Sequence, residues 1–90
     1  MSEQSPELEL LDVLLGEDMS LERSRTIFES DEQFRRALAM MVKDGDITPR
    51  DASGVELPSW RARAVIREPA CWVASLGYKL HITARGSQRV

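Results

Sequence analysis

Apolar residues in the first half of the chain recur at helical spacing, and that periodicity breaks after residue 47. Ser5-Pro6-Glu7 supplies a capping hydroxyl, a proline pre-set for the first helical position and a carboxylate near the positive end of the dipole. From there Leu8, Leu11 and Leu15 share a face that Leu10 and Leu14 widen, so the spacing predicts a core-facing helix ending at Gly16. A shorter helix is expected from Ser20, carrying Leu21, Ile27 and Phe28 and stopping near Ser30. The third helix has the fullest set of signals. Ser30 and Gln33 have capping-box spacing, and Asp31 and Glu32 favour the first turn. Phe34, Ala37, Leu38, Met41 and Val42 follow at i, i+3, i+4, i+7 and i+8, with Lys43 and Gly45 suited to the helix end.

Beyond "DGDI" the texture changes. Ile47 is expected to begin a short strand, and residues 48–58, with Pro49, Asp51, Ser53, Gly54 and Pro58, read as a loop. The segment "SWRARAVIREP" suits two readings around residues 59–68. Alternation separates Trp60, Ala62, Ala64 and Ile66 from Arg61, Arg63 and Arg67 as in a half-buried strand, whereas helical spacing groups Trp60, Ala64 and Arg67. A helix capped by Ser59 and ended by Pro69 is preferred. The remainder predicts a C-terminal β-hairpin turning near Leu76-Gly77, with Tyr78, Leu80 and Ile82 alternating with Lys79, His81 and Thr83.

Ninety residues with 42% hydrophobic content suffice for one small domain over residues 1–90, with residues 1–4 expected to be disordered. The opening "MSEQSPELEL" has no apolar signal core, and no apolar run approaches the ~20 residues that cross a bilayer, so a cytoplasmic protein with no membrane role is expected. Charge is uneven: residues 1–49 carry 12 acidic and 5 basic side chains, net −7, and residues 50–90 carry 3 and 7, net +4. The basic part permits an anionic partner, although charge runs are ordinarily solvated surface.

Chemistry-bearing constellations are sparse. Cys71 is the single cysteine, set between Ala70 and Trp72, where a thiol is ordinarily inert packing; His81 has no partner at metal-ligand spacing. No carboxylate pair suits acid–base work and no glycine-rich phosphate loop is present, so the expectation is a protein without enzymatic activity, cofactor or metal.

Three short helices, the third followed at once by Gly45 and Ile47, and a late strand with Tyr78, Leu80, Ile82, Thr83 and Gly86, resemble a winged helix-turn-helix domain. In that family an apolar residue, Gly and an apolar strand residue follow the third helix, matched here by Met41, Val42, Gly45 and Ile47. The wing ends in a Tyr-x-Leu-Thr-x-x-Gly type pattern, here with His81 and Ile82 as two extra residues between Leu80 and Thr83. The likeness covers residues 5–47 and 78–86; the stretch from Thr48 to Gly77 is longer than the tight hairpin usual in the family. The resemblance implies an α+β winged-helix-like fold and a DNA-binding transcriptional regulator whose third helix enters the major groove. Gln33, Arg36, Met40 and Lys43 would then face bases, and Lys79, Arg85 and Arg89 on the wing side would meet phosphates. Asp31, Glu32, Asp44 and Asp46 bracket that helix and would oppose binding. The alternative is a protein-interaction or self-association module in which Trp60 and Trp72 anchor a partner and Arg61, Arg63 and Arg67 meet acidic groups. The ordinary role of both indoles is to complete a small core.

Overall fold

The computed structural model describes residues 5–90, so the disorder expected for residues 1–4 lies outside the described residues. Its N-terminal half is built on three capped helices. In α1 (Pro6–Leu14) the Ser5 hydroxyl accepts the Leu8 amide at 3.2 Å. Leu10, Leu11 and Leu14 are buried, while Leu15, expected to lie on the core stripe, is half exposed just past the helix end. Ser20 caps α2 (Leu21–Arg25), which is shorter than expected: Ile27 and Phe28 belong to the turn that follows it. Ser30 caps α3 (Asp31–Lys43), accepting the Gln33 amide at 3.1 Å, and the Gln33 side chain accepts the Glu29 amide at 2.7 Å. Arg25 ties α2 to this start, its Nε donating to Asp31 at 2.6 Å and its Nη1 to the Phe28 carbonyl at 2.8 Å.

The short strand β1 (Met19–Ser20) stands between α1 and α2, and two longer strands, β2 (Ile47–Arg50) and β3 (Lys79–Ile82), come later. They form an antiparallel sheet in the order β1-β3-β2, with Met19 opposite Leu80 and Leu80 opposite Pro49. Strand alternation puts Met19, Ile47, Pro49 and Leu80 on the buried face and Lys79, His81, Thr48 and Arg50 on the other. Pro49 is tolerated because β2 is an edge strand. Its carbonyl points outward to the Leu57 amide at 2.9 Å, so its missing N–H removes nothing from the ladder to β3. The expected loop therefore begins at Asp51 and not at residue 48; there the Asp51 carboxylate accepts the Ser53 and Val55 amides.

Between β2 and β3 the chain forms α4 (Ser59–Arg67), which decides the helix-or-strand alternative in favour of the helix. Pro58 occupies the cap position and Ser59 is the first helical residue, so the serine does not cap as expected. Ala62, Val65 and Ile66 are the buried residues of α4, which packs beside α3.

The predicted C-terminal hairpin does not form. Pro69–Trp72 and Ala74–Leu76 are 3₁₀ turns, and β3 pairs instead with β2 and β1. Pro69 has no amide to give a strand, the Glu68 carboxylate caps the turn at the Ala70 amide, and the Trp72 indole donates to the Val65 carbonyl at 3.1 Å. Trp72 also meets Phe34 edge to face at 4.7 Å between centroids, and Phe34 meets Phe28 at 5.4 Å. These rings join α3, α4 and the turn after α2 in one core.

The residues read as the end of a wing start a helix, α5 (Ala84–Ser87). Thr83 organises its attachment: its amide donates to the Asp46 carbonyl at 3.0 Å, its hydroxyl donates to the Gly45 carbonyl at 2.6 Å, and the same oxygen accepts the Gly86 amide at 3.0 Å. A Cβ on Gly86 would overlap the Asp46 carbonyl, so only glycine lets α5 lie against the turn between α3 and β2.

Candidate functional site

The exposed side of α3 carries Glu32, Arg36, Met40 and Lys43, recurring at i, i+4, i+8 and i+11 as one ridge. The phase is forced from inside, because Phe34, Leu38 and Met41 are buried and the opposite stripe must face outward. Met40 is 58% exposed, an apolar side chain presented in a charged setting. Gln33 does not share the ridge's freedom, being half-buried with its amide oxygen held by the Glu29 N–H.

The carboxylates expected to oppose an anionic ligand are mostly occupied. Asp31 is held by Arg25, and Glu32 by Arg36 at 2.6 Å. Asp46 is buried, bonded by Arg89 and approached by Arg85 at 3.9 Å. Arg85 and Arg89, expected on a wing, thus lie on and just after α5 and are drawn to Asp46. Lys79 is exposed at the start of β3, across from Ser20 and Arg50.

Two grooves flank the α3 ridge. One, about 670 Å³, lies between α1 and α3 and includes Glu7, Asp44, Asp46, Leu8 and Met41. The other, about 340 Å³, lies between α3 and α4: Arg35, Arg36, Arg63 and Arg67 line it over Ala39, Val42 and Ile66, with Glu32 as its only carboxylate among the described residues. Of the four arginines only Arg36 has a carboxylate within 4.0 Å among the described residues.

Sequence reading singled out Arg36, Arg63 and Arg67 but assigned them to different partners, and the structure brings them together. It missed Arg35. That arginine stands beside the buried Phe34, and its membership of the groove exists only because α4 packs alongside.

The residues named for a protein partner separate. Trp60 is 64% exposed on the first turn of α4, whereas Trp72 is 6% exposed and fixed in the core, so Trp72 cannot anchor a partner. Arg61 donates to the Tyr78 hydroxyl at 2.9 Å. Cys71 is a free, half-buried thiol. His81 Nδ1 meets the Asp18 carboxylate at 2.7 Å, with Arg50 at 3.9 Å from the same carboxylate, a contact that ties the residue before β1 to β3 and β2. Among the described residues no three His, Cys, Asp or Glu side chains gather as a metal site, and no helix is long and apolar enough to cross a membrane. Comparison with protein families, curated proteins and solved structures gave no match to this chain.

Proposed function

We propose that this protein is a non-enzymatic winged-helix-like regulator that binds duplex DNA through α3. The observation that carries the reading is the α3 ridge, in which Arg36, Met40 and Lys43 stand clear of the protein while the opposite face is locked into the core. An arginine fork can bond the O6 and N7 of guanine, an exposed methionine can meet a thymine methyl, and a lysine can meet phosphate.

Topology supports the same reading. Three helices are followed by β2 and β3, which pair antiparallel as the two strands of a wing would, with α4 and two 3₁₀ turns inserted between them. The Thr-x-x-Gly pattern has a physical basis here, since Thr83 and Gly86 fasten α5 to the turn after α3. Ile82 directly precedes Thr83, so Ile82-Thr83-x-x-Gly86 is the better register for that pattern than one starting from Leu80.

The test is titration of purified protein into mixed-sequence duplex DNA across low to moderate salt. Salt-sensitive binding is expected, with Arg36→Ala and Lys43→Ala each weakening it, Arg36→Ala by about tenfold if it reads a guanine. Absence of binding at low salt would overturn the reading.

Exposed Trp60 favours a second one, a protein-interaction module that seats this indole in an acidic partner. Under that reading, which has no DNA binding, wild type binds no duplex and Trp60→Ala abolishes complex formation with the partner.

A further inference from the structure

We infer that α4 replaces the wing as the DNA-backbone clamp, and that the groove between α3 and α4 is a phosphate-binding site built from Arg35, Arg63 and Arg67. The inference rests on the α3–DNA reading and adds the backbone site and its residues.

Where a tight hairpin would connect β2 and β3, this chain inserts α4 and folds it back on α3. Burial of Ala62, Val65 and Ile66 fixes the rotation of α4, and Arg63 and Arg67, four residues apart on the helix, are thereby set across the groove from Arg35 and Arg36. Four guanidinium groups around one groove repel one another. Glu32 neutralises Arg36, and no carboxylate of the described residues lies within 4.0 Å of the other three. The buried Asp46, by contrast, is met by an arginine of its own, Arg89. An external anion removes the repulsion, and the planar fork of arginine matches phosphate oxygens bidentately. Ala39, Val42 and Ile66 give the arginine stems an apolar floor along which to extend.

The polyanion favoured by position is the DNA backbone. The groove shares Arg36 with the α3 ridge, so a duplex seated on that ridge brings a strand to its flank. The other flank carries Glu7 and Asp44, and its Arg89 is taken up by the buried Asp46, so it presents no comparable arginine cluster to phosphate. This asymmetry orients the duplex, with its backbone on the α4 side.

The experiment measures anisotropy of labelled duplexes of several sequences, over about a tenfold range of salt, with the full chain. Wild type, Arg35→Ala, Arg63→Ala/Arg67→Ala, Arg63→Lys/Arg67→Lys and Arg36→Ala are compared. Each lost phosphate contact lowers the slope of log K against log salt by about 0.9, so Arg63→Ala/Arg67→Ala should lower it by about 1.8 and Arg35→Ala by about 0.9. Affinity should fall by the same factor for every sequence, because phosphates carry no sequence information. The lysine pair should keep the slope. Arg63 and Arg67 are exposed, so unchanged circular dichroism and thermal midpoint separate this loss from misfolding.

Wild-type binding with an unaltered slope in Arg63→Ala/Arg67→Ala overturns the clamp and leaves α3 as the DNA contact. Failure of wild type to bind any duplex overturns the clamp together with the DNA reading. Binding of polyglutamate with no binding of DNA does the same and assigns the arginines to an acidic protein.

Discussion

Two tryptophans in one short chain have opposite fates, and the difference is set by what each indole N–H and ring can reach. Trp72 closes the core against Phe34 and satisfies its N–H at Val65, so Trp72→Ala is expected to cost about 3–5 kcal/mol in urea denaturation. Trp60 touches no such frame, and Trp60→Ala should change stability by less than about 0.5 kcal/mol in the same measurement. Gly86 has no room for a side chain. Gly86→Ala must move α5 off the Asp46 carbonyl and is expected to cost about 1–3 kcal/mol. None of these differences shows in the sequence, where Ala70-Cys71-Trp72 and Ser59-Trp60-Arg61 look equally able to bury an indole. By contrast the Ser5 and Ser30 caps were legible, because an N-cap bond runs to an amide three residues on and needs no distant partner.

At the scale of elements, α1, α3 and the extent of α4 follow the local pattern closely, whereas α2 is shorter than that pattern and the segment after Pro69 departs from it. The caps of α3 and α4 differ measurably: Ser30→Ala should destabilise the protein by about 1 kcal/mol, whereas Ser59→Ala should have little effect because Ser59 makes no capping bond. The segment "ACWVASL" is a short apolar run that reads as the first strand of a hairpin, yet it turns as 3₁₀ helix because Pro69, the Glu68 cap and the Trp72 anchor outweigh strand propensity. Strand β3 lost its expected neighbour for the same reason and found β2, on the far side of α4 in the chain. Sequence alternation identifies a strand; which strand lies beside it is settled by the helices that bring the two together.

Across the whole molecule, charge is arranged so that α3 has an arginine-lined flank toward α4 and a carboxylate-bearing flank toward α1. Glu32→Gln releases Arg36 and removes the groove's only carboxylate among the described residues, and on the proposed DNA reading it is expected to raise affinity for duplex DNA severalfold at low salt, measured by anisotropy. The Asp46–Arg89 pair acts on another part of the frame, fastening the segment after α5 to the turn between α3 and β2. Arg89→Ala would leave a buried carboxylate with Arg85 only at 3.9 Å and should cost about 3 kcal/mol in thermal or urea unfolding. The separation of −7 and +4 between the two parts of the chain was plain in the sequence, but the groove was not. Its arginines come from positions 35, 36, 63 and 67, on two helices whose contact no local spacing encodes.

The sequence by itself determined where helices begin in the first half, which stripe of α3 is buried, and therefore which ridge it exposes. Those are consequences of caps and of the 3.6-residue period, both read within a few residues. Tertiary structure alone decided that α4 lies beside α3, that β3 pairs with β1 and β2, that Arg85 and Arg89 turn toward Asp46, and that Trp72 is core while Trp60 is surface. Each of these depends on burying one element's apolar face against another across a long stretch of chain, and such a choice is made by the packing of the whole core.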